Sequence, residues 1–138
     1  MLSISRRKFL AGLSAVSIVG GSTAGRAETV RTRTIPSSGE PLPVIGMGTW
    51  ITFNVGNDPL LRADRGKVLR TFFQMGGGMI DSSPMYGSAE AVIGHCFKKL
   101  GRPKGLFSAT KVWTPLTAHG FIQMANSERL WGLTHFDL

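Results

Sequence analysis

The sequence has only one cysteine, Cys96, and one tyrosine, Tyr86, among its 138 residues. A single thiol excludes a disulfide within the chain and a metal site built from several cysteines, so we expect no disulfide partner and no bound metal. Acidic residues are also few, at 8 against 16 lysines and arginines. The composition, with 42% hydrophobic and 17% charged residues, is that of one modest globular domain.

The excess of positive charge does not indicate a nucleic-acid partner. Four of the basic residues, Arg6, Arg7, Lys8 and Arg26, lie in the amino-terminal segment. From Glu28 onward the net charge is only +4, and the basic residues are scattered along the sequence. Because nucleic-acid binding needs basic side chains gathered on one face, we expect no nucleic-acid partner.

The amino terminus lacks an apolar run long enough to span a membrane. Ser3–Leu10 contains two adjacent arginines followed by Phe-Leu, and Ala11–Gly21 is only weakly apolar. A membrane-spanning helix needs roughly 20 apolar residues. The pattern is instead typical of a twin-arginine export signal, although a membrane anchor or a chance basic start would also begin with such residues.

Small residues precede a plausible cleavage point after Ala27. We therefore expect residues 1–27 to be a signal peptide that engages the twin-arginine export machinery. Residues 28–138 would then form the domain, and the protein would be periplasmic or otherwise exported by this route.

The rest of the sequence alternates predicted strands and helices. The predicted elements are a hairpin over 29–40, strands at 44–50, 79–81, 107–111 and 134–138, and helices at about 58–75, 88–100 and 117–131. The apolar stripe of the first helix comprises Leu61, Val68, Leu69, Phe72 and Phe73, and that of the second comprises Val92, Ile93, Cys96, Phe97 and Leu100. Strands alternating with helices of this length predict an α/β fold with parallel neighbours and right-handed crossovers.

Three polar residues follow the predicted strands at their carboxyl ends. Asp81 ends the second strand, Tyr86 lies in the loop after it, and Lys111 ends the third strand. In a parallel sheet or barrel these ends lie side by side. A lysine held by a carboxylate puts positive charge beside the phenol, and such a tyrosine can give a proton to a carbonyl oxygen as hydride reaches the carbon. The alternative is a strand-ending acid, a half-buried aromatic and a solvated lysine without chemistry.

Four segments of the sequence resemble the aldo-keto reductases. They are Gly46–Trp50, Ile80–Gly87, Ala89-Glu90 with Gly94, and Ala109–Lys111. The segments cover most of residues 42–113, and the aspartate followed five residues later by Tyr-Gly is the most diagnostic. The resemblance implies a TIM-type (β/α)8 barrel with an amino-terminal β-hairpin at its base, of which this chain is the amino-terminal half, truncated within strand four.

The resemblance also implies an activity, which is reduction of an aldehyde or ketone by NADPH. The small-molecule carbonyl substrate would receive its proton from Tyr86, with Lys111 as the charged partner of the phenol and Asp81 as the carboxylate that holds the lysine. The cofactor-binding residues implied by the resemblance are Gly48, Thr49, Trp50 and Asp81.

One residue of the family site has no counterpart in this sequence. The resemblance implies a histidine at the end of strand four, and none of His95, His119 and His135 matches that position. Half of a closed sheet would also leave open strand edges. The alternative to an enzyme is therefore a truncated, non-catalytic fragment that self-associates or binds a partner through those edges.

Overall fold

The computed structural model describes residues 30–138, so the predicted signal peptide lies outside the described residues. The first described elements are two short strands, β1 (Thr32–Thr34) and β2 (Pro41–Pro43). They pair antiparallel, with Thr32 opposite Pro43. The predicted hairpin is confirmed.

A second sheet contains three parallel strands, β3 (Met47–Gly48), β4 (Met79–Asp81) and β5 (Phe107–Ala109), with β4 in the centre. Asp81 is the register partner of Gly48 on one side and of Ala109 on the other. The three strands therefore end level with one another, and the loops after them leave from the same edge of the sheet.

Three helices connect and follow these strands: α1 (Pro59–Gln74), α2 (Ala89–Leu100) and α3 (Thr117–Trp131). Helix α1 begins where predicted because the Asp58 carboxylate accepts hydrogen bonds from the backbone N–H groups of Leu60 and Leu61, at 2.9 Å each. Helix α2 packs against both α1 and α3. None of the described helices is long and apolar enough to cross a membrane.

The core lies between the helices and strand β4. Its buried members are Phe53, Leu69, Ile80, Ala89, Val92, Ile93, Cys96, Phe97, Trp131 and Leu133. The Trp131 ring packs edge-on against Phe97, at 6.0 Å between centroids, and against Phe136, at 5.2 Å. These aromatic contacts join the end of α3 to α2 and to the segment that follows α3.

Two predicted apolar stripes are wrong in part. Leu61 and Val68 of α1 are 41% and 46% exposed, although the neighbouring Leu69 is buried. Leu100 of α2 is also exposed, because it lies in the last turn of the helix. The helical period is therefore correct, but the face of α1 that is buried is narrower than the sequence pattern suggested.

The predicted strand at 44–50 is shorter in the structure. Only Met47–Gly48 pairs with β4, and Val44 and Ile45 are exposed. The Val44 N–H instead donates to the Arg31 carbonyl at 3.0 Å, which extends the hairpin. Within this segment, Val44 thus bonds to the hairpin and Met47–Gly48 pairs with the parallel sheet.

The predicted fourth strand at 134–138 forms only in part. The Thr110 N–H donates to the Leu138 carbonyl at 3.0 Å, as in a parallel strand pair. The N–H groups of Asp137 and Leu138 both donate to the Ser108 carbonyl, so the segment lies beside β5. The Asp137 carboxylate, however, accepts from the Ser108 N–H and hydroxyl at 2.8 Å each. The Ser108 N–H therefore donates to the Asp137 side chain, whereas in a regular strand pair it would donate to a backbone carbonyl.

The described residues form no closed barrel. Their three parallel strands and three helices fit part of a (β/α) barrel, and the amino-terminal hairpin precedes it. The described residues thus fit a partial (β/α) barrel, and the eight-stranded TIM-type barrel truncated within strand four stays a prediction.

Two glycines inside helices provide a matched test of this packing. At Gly94 of α2 an added Cβ would lie 1.8 Å from the Leu130 carbonyl oxygen of α3, whereas at Gly66 of α1 the nearest atoms would be 3.9 Å away. We expect Gly94→Ala to lower the free energy of unfolding by roughly 3 kcal/mol, because the helices must separate. We expect Gly66→Ala to raise it by about 0.5 to 1 kcal/mol through helix propensity. Chemical denaturation followed by circular dichroism measures both, and a shift of the same sign would contradict this packing.

Candidate functional site

An ion pair joins the carboxyl ends of β4 and β5. The Lys111 ammonium donates to the Asp81 carboxylate at 2.6 Å and to the Ser82 carbonyl at 3.0 Å. Asp81 is the last residue of β4, and Lys111 lies two residues beyond the end of β5. The Lys111 and Asp81 side chains are 44% and 33% exposed, so the pair faces open space at the edge of the sheet.

Tyr86 lies against this pair. The Lys111 nitrogen is 5.0 Å from the centroid of the half-buried Tyr86 ring. Partial burial lowers the pKa of Lys111, but the hydrogen bond to Asp81 and the negative charge of that carboxylate, with a contribution from Tyr86, raise it by more, so the pKa lies above its usual value. Lys111 therefore remains a cation next to the phenol at any ordinary working pH.

The loop after β3 fixes the position of the Tyr86 loop. The Asn54 amide oxygen accepts from both the N–H and the hydroxyl of Ser88, at 3.0 Å each, and the Gly56 N–H donates to the Ser88 hydroxyl at 2.8 Å. Gly87 has a φ of 60°, and a Cβ there would lie 2.4 Å from the Asn54 oxygen. A side chain at position 87 would therefore break the contact that anchors the loop on the carboxyl side of Tyr86.

The first-strand residues Gly48, Thr49 and Trp50 have three different surroundings. Thr49 is completely buried, and its hydroxyl donates to the Asp81 carbonyl at 2.8 Å. A Cβ at Gly48 would meet no atom within 4 Å. Trp50 is 65% exposed, and its ring centroid is 6.4 Å from that of Tyr86. Thr49 thus braces Asp81, while Gly48 and Trp50 border open space beside the ion pair.

Trp50 is followed by a strained turn. Ile51 has a φ of 59°, which is costly for a β-branched residue, and the Thr52 N–H donates back to the Trp50 carbonyl. Such a conformation costs on the order of 1–3 kcal/mol and tends to occur at binding and catalytic sites. Periodicity and propensity gave no signal for this turn, because it depends on the surrounding loop.

A buried carboxylate lies behind the site. Glu90, in the first turn of α2, is buried and accepts hydrogen bonds from the Thr110 hydroxyl at 2.8 Å and the Ser127 hydroxyl at 2.9 Å. Thr110 immediately precedes Lys111, so Glu90 fixes the backbone from which the lysine extends. Sequence reasoning gave Glu90 no role, although an acid within the apolar run from Ala89 to Ile93 was a usable signal.

The structure therefore brings Asp81, Tyr86, Lys111 and Trp50 together at one edge of the sheet. It supplies a cation held by a carboxylate, a phenol next to that cation, and an exposed indole that borders open space. This combination can transfer a proton from the phenol to an acceptor and stabilise the anion left behind. Among residues 30–138, no group of three or more His, Cys, Asp and Glu side chains could hold a metal ion.

Comparison with known proteins identifies a family. The model of the aldo/keto reductase family matches residues 44–130, which is more than half of the chain. No curated protein matches the sequence closely enough to count as a relative.

Solved structures give the same fold. A thermostable aldo-keto reductase in complex with the inhibitor epalrestat is 26% identical, with a TM-score of 0.64 over 77% of this chain and 40% of its own. An aldo/keto reductase from Klebsiella pneumoniae in complex with NADP and acetate is 26% identical, with a TM-score of 0.60 over 72% of this chain and 35% of its own. An aldo-keto reductase complexed with NADPH is 25% identical, with a TM-score of 0.58 over 78% of this chain and 34% of its own.

The chain thus spans well under half the length of these three structures. The matched residues 44–130 include β3, α1, β4, α2 and β5, and with them the whole ion pair and Tyr86. On the family match and the shared fold, the chain belongs to the aldo/keto reductase family.

Proposed function

We propose that this protein is an NADPH-dependent carbonyl reductase in which Tyr86 donates a proton to an aldehyde or ketone. The observation that carries the proposal is the contact of Lys111 with both Asp81 and Tyr86 at the open edge of the sheet. A phenol is a weak acid, and it can act as a proton donor near neutral pH only if its anion is stabilised. The neighbouring ammonium supplies that stabilisation.

The residues at this edge fit a flat nicotinamide ring. The space above Gly48 is empty to at least 4 Å, and the exposed Trp50 offers an aromatic face beside it. Gly48 and Trp50 would border the ring. Asp81 would lie beside the ring at the carboxyl end of β4. Thr49 was predicted to bind the cofactor directly and stays a prediction in that role. Because its side chain is buried and its hydroxyl donates to the Asp81 carbonyl, we propose that it acts by supporting Asp81. When bound, the cofactor would supply the hydride.

Each polar residue then has one role in the reaction. The substrate oxygen lies within reach of the Tyr86 hydroxyl and takes its proton as the carbonyl carbon is reduced. The Lys111 ammonium stabilises the phenolate that remains. The Asp81 carboxylate fixes the ammonium in position, and because the pair is partly exposed it contributes little to folding stability.

The family match and the NADP(H)-bound relatives support an oxidoreductase with a nicotinamide cofactor. They do not favour the alternative of a non-catalytic fragment that binds through its strand edges. Because the chain spans 34–40% of the length of the three structures compared, the activity belongs to a form of the protein in which the barrel is closed.

We also propose that the reductase is exported. The twin-arginine pattern in residues 1–27 supports a signal peptide ahead of a domain that begins at residue 28. Proteins that use this route cross the membrane already folded, which would let the domain carry its cofactor with it.

The first test replaces the proton donor. In a form of the protein long enough to close the barrel, we expect Tyr86→Phe to reduce kcat for carbonyl reduction by about 100-fold or more, because the general acid is lost. The affinity for NADPH, followed by quenching of tryptophan fluorescence, should stay within about twofold, because the ring is retained. An equal loss of activity and affinity would contradict the role of Tyr86.

The second test separates the site ion pair from an ordinary one. Asp64 and Lys67 form a similar pair, at 2.8 Å, on the surface of α1. We expect Asp81→Asn to lower kcat by about tenfold or more while changing the free energy of unfolding by less than about 1 kcal/mol. Asp64→Asn should change neither quantity appreciably. If both variants had the same activity, the Asp81 carboxylate would have no part in the reaction.

The third test concerns export. We expect the double substitution Arg6→Lys and Arg7→Lys to retain the protein in the cytoplasm, because the twin-arginine machinery reads the arginine pair itself. Arg31→Lys with Arg33→Lys makes the same chemical change beyond the signal and should leave export intact. Cell fractionation followed by immunoblotting measures both, and unchanged export of the first variant would rule out this route.

A further inference from the structure

A groove runs between helices α1 and α2, and none of the residues of the candidate site lines it. Its volume is about 510 Å³, which is in the range of small-molecule sites. Both walls and the floor come from residues 57–100. The groove is therefore formed by these two helices and the residue Asn57, which precedes α1.

The lining of this groove is cationic. Arg62, Lys67 and Arg70 come from α1 and Lys99 from α2, and the lining residues include no carboxylate. Lys67 is paired with Asp64, whereas the other three cations have no acidic partner within salt-bridge distance among residues 30–138. Basic residues that are scattered in the sequence are thus gathered along one groove by the packing of α1 on α2.

Arg62 is already fixed at one end of the groove. Its guanidinium donates to the Gly56 carbonyl at 2.7 Å and to the Asn57 amide oxygen at 2.6 Å. A guanidinium has five N–H donors, so several remain for another acceptor. Because the Arg62 side chain is already ordered by these two hydrogen bonds, binding a ligand would cost little further side-chain entropy.

Gly66 lies between Arg62 and Arg70 on the same face of α1, four residues from each. Glycine in a helix interior costs about 0.5–1 kcal/mol relative to alanine. The packing does not require it, since an added Cβ would be in ordinary van der Waals contact with Cys96 and Leu100 at 3.9 Å. Its effect is to keep the groove open between two arginines that are about 12 Å apart along the helix axis.

His95, which also lines the groove, lies among the same positive charges. Burial lowers the pKa of its imidazole below the usual value, and the charges of Arg62, Lys99 and Lys98 lower it further. The positive charges of the groove thus disfavour an additional cation there. The same charges favour the binding of an anion.

We propose that this groove binds a small ligand with several negative charges, of the oligophosphate type, through Arg62, Arg70 and Lys99. Guanidinium groups recognise phosphate oxygens through paired, charge-assisted hydrogen bonds. A chain of linked phosphates can approach cations at both ends of the groove, whereas a single small anion contacts only one end. The opening left by Gly66 provides the room between them.

Isothermal titration calorimetry of the 138-residue protein with inorganic triphosphate tests the proposal. We expect saturable binding that weakens about tenfold in Arg70→Gln and about tenfold in Lys99→Gln, because each removes a charge-assisted contact. Arg31→Gln, which removes a positive charge from the hairpin region, should bind as the wild type does. Orthophosphate should bind more weakly than triphosphate.

Two further variants test whether triphosphate binds in this groove and not at the candidate active site. Gly66→Leu should weaken triphosphate binding by filling the groove, with circular dichroism confirming that the helices persist. Lys111→Met should leave binding unchanged, because it alters only the candidate active site. Failure of triphosphate to bind, an equal loss in Arg31→Gln and Arg70→Gln, or a loss in Lys111→Met would each overturn the proposal.

Discussion

The contact between the Asp81 carboxylate and the Lys111 ammonium joins two neighbouring strands at the edge where a parallel sheet presents its loops. Thirty residues separate the two groups in the chain, and only the register of β4 with β5 brings them within 2.6 Å. The Tyr86 phenol gains a cationic neighbour through this contact. Without the ion pair, the lysine would be a solvated side chain, and nothing would hold its positive charge beside the phenol.

Hydrogen bonds made by two buried side chains, Thr49 and Glu90, fix the position of the ion pair from either side. The Thr49 hydroxyl holds the Asp81 carbonyl from the β3 side, and the Glu90 carboxylate holds Thr110 from the α2 side. Leaving the buried Thr49 hydroxyl or the buried Glu90 carboxylate without a partner would cost about 1–3 kcal/mol, so the geometry of these contacts is strongly determined. The partly exposed ion pair thus rests on buried side chains that are hydrogen-bonded, and such a support preorganises the polar groups of the candidate site.

Much of this architecture was readable in the sequence. The helix at 59–74 was correctly predicted because Asp58 and Pro59 are strong start signals, and α3 has the predicted bounds. The strand end at Asp81 followed from a short apolar run that stops at a polar residue, whereas the strand predicted over 107–111 ends at Ala109, two residues before Lys111. The strand predicted at 134–138 is incomplete, because the Asp137 side chain takes the Ser108 N–H while Leu138 bonds to β5 through its backbone.

The sequence by itself determined the order of strands and helices, and the identity of the acid, the phenol and the amine, because these depend on local patterns and residue types. Only the tertiary structure decided which of these groups meet. The strained turn at Ile51, the bracing of Ser88 by Asn54, and the gathering of Arg62, Arg70 and Lys99 along one groove all join residues that have no local relation. Such contacts arise from how helices and strands pack. A sequence pattern describes neighbouring residues and does not give the distance between residues that are far apart in the chain.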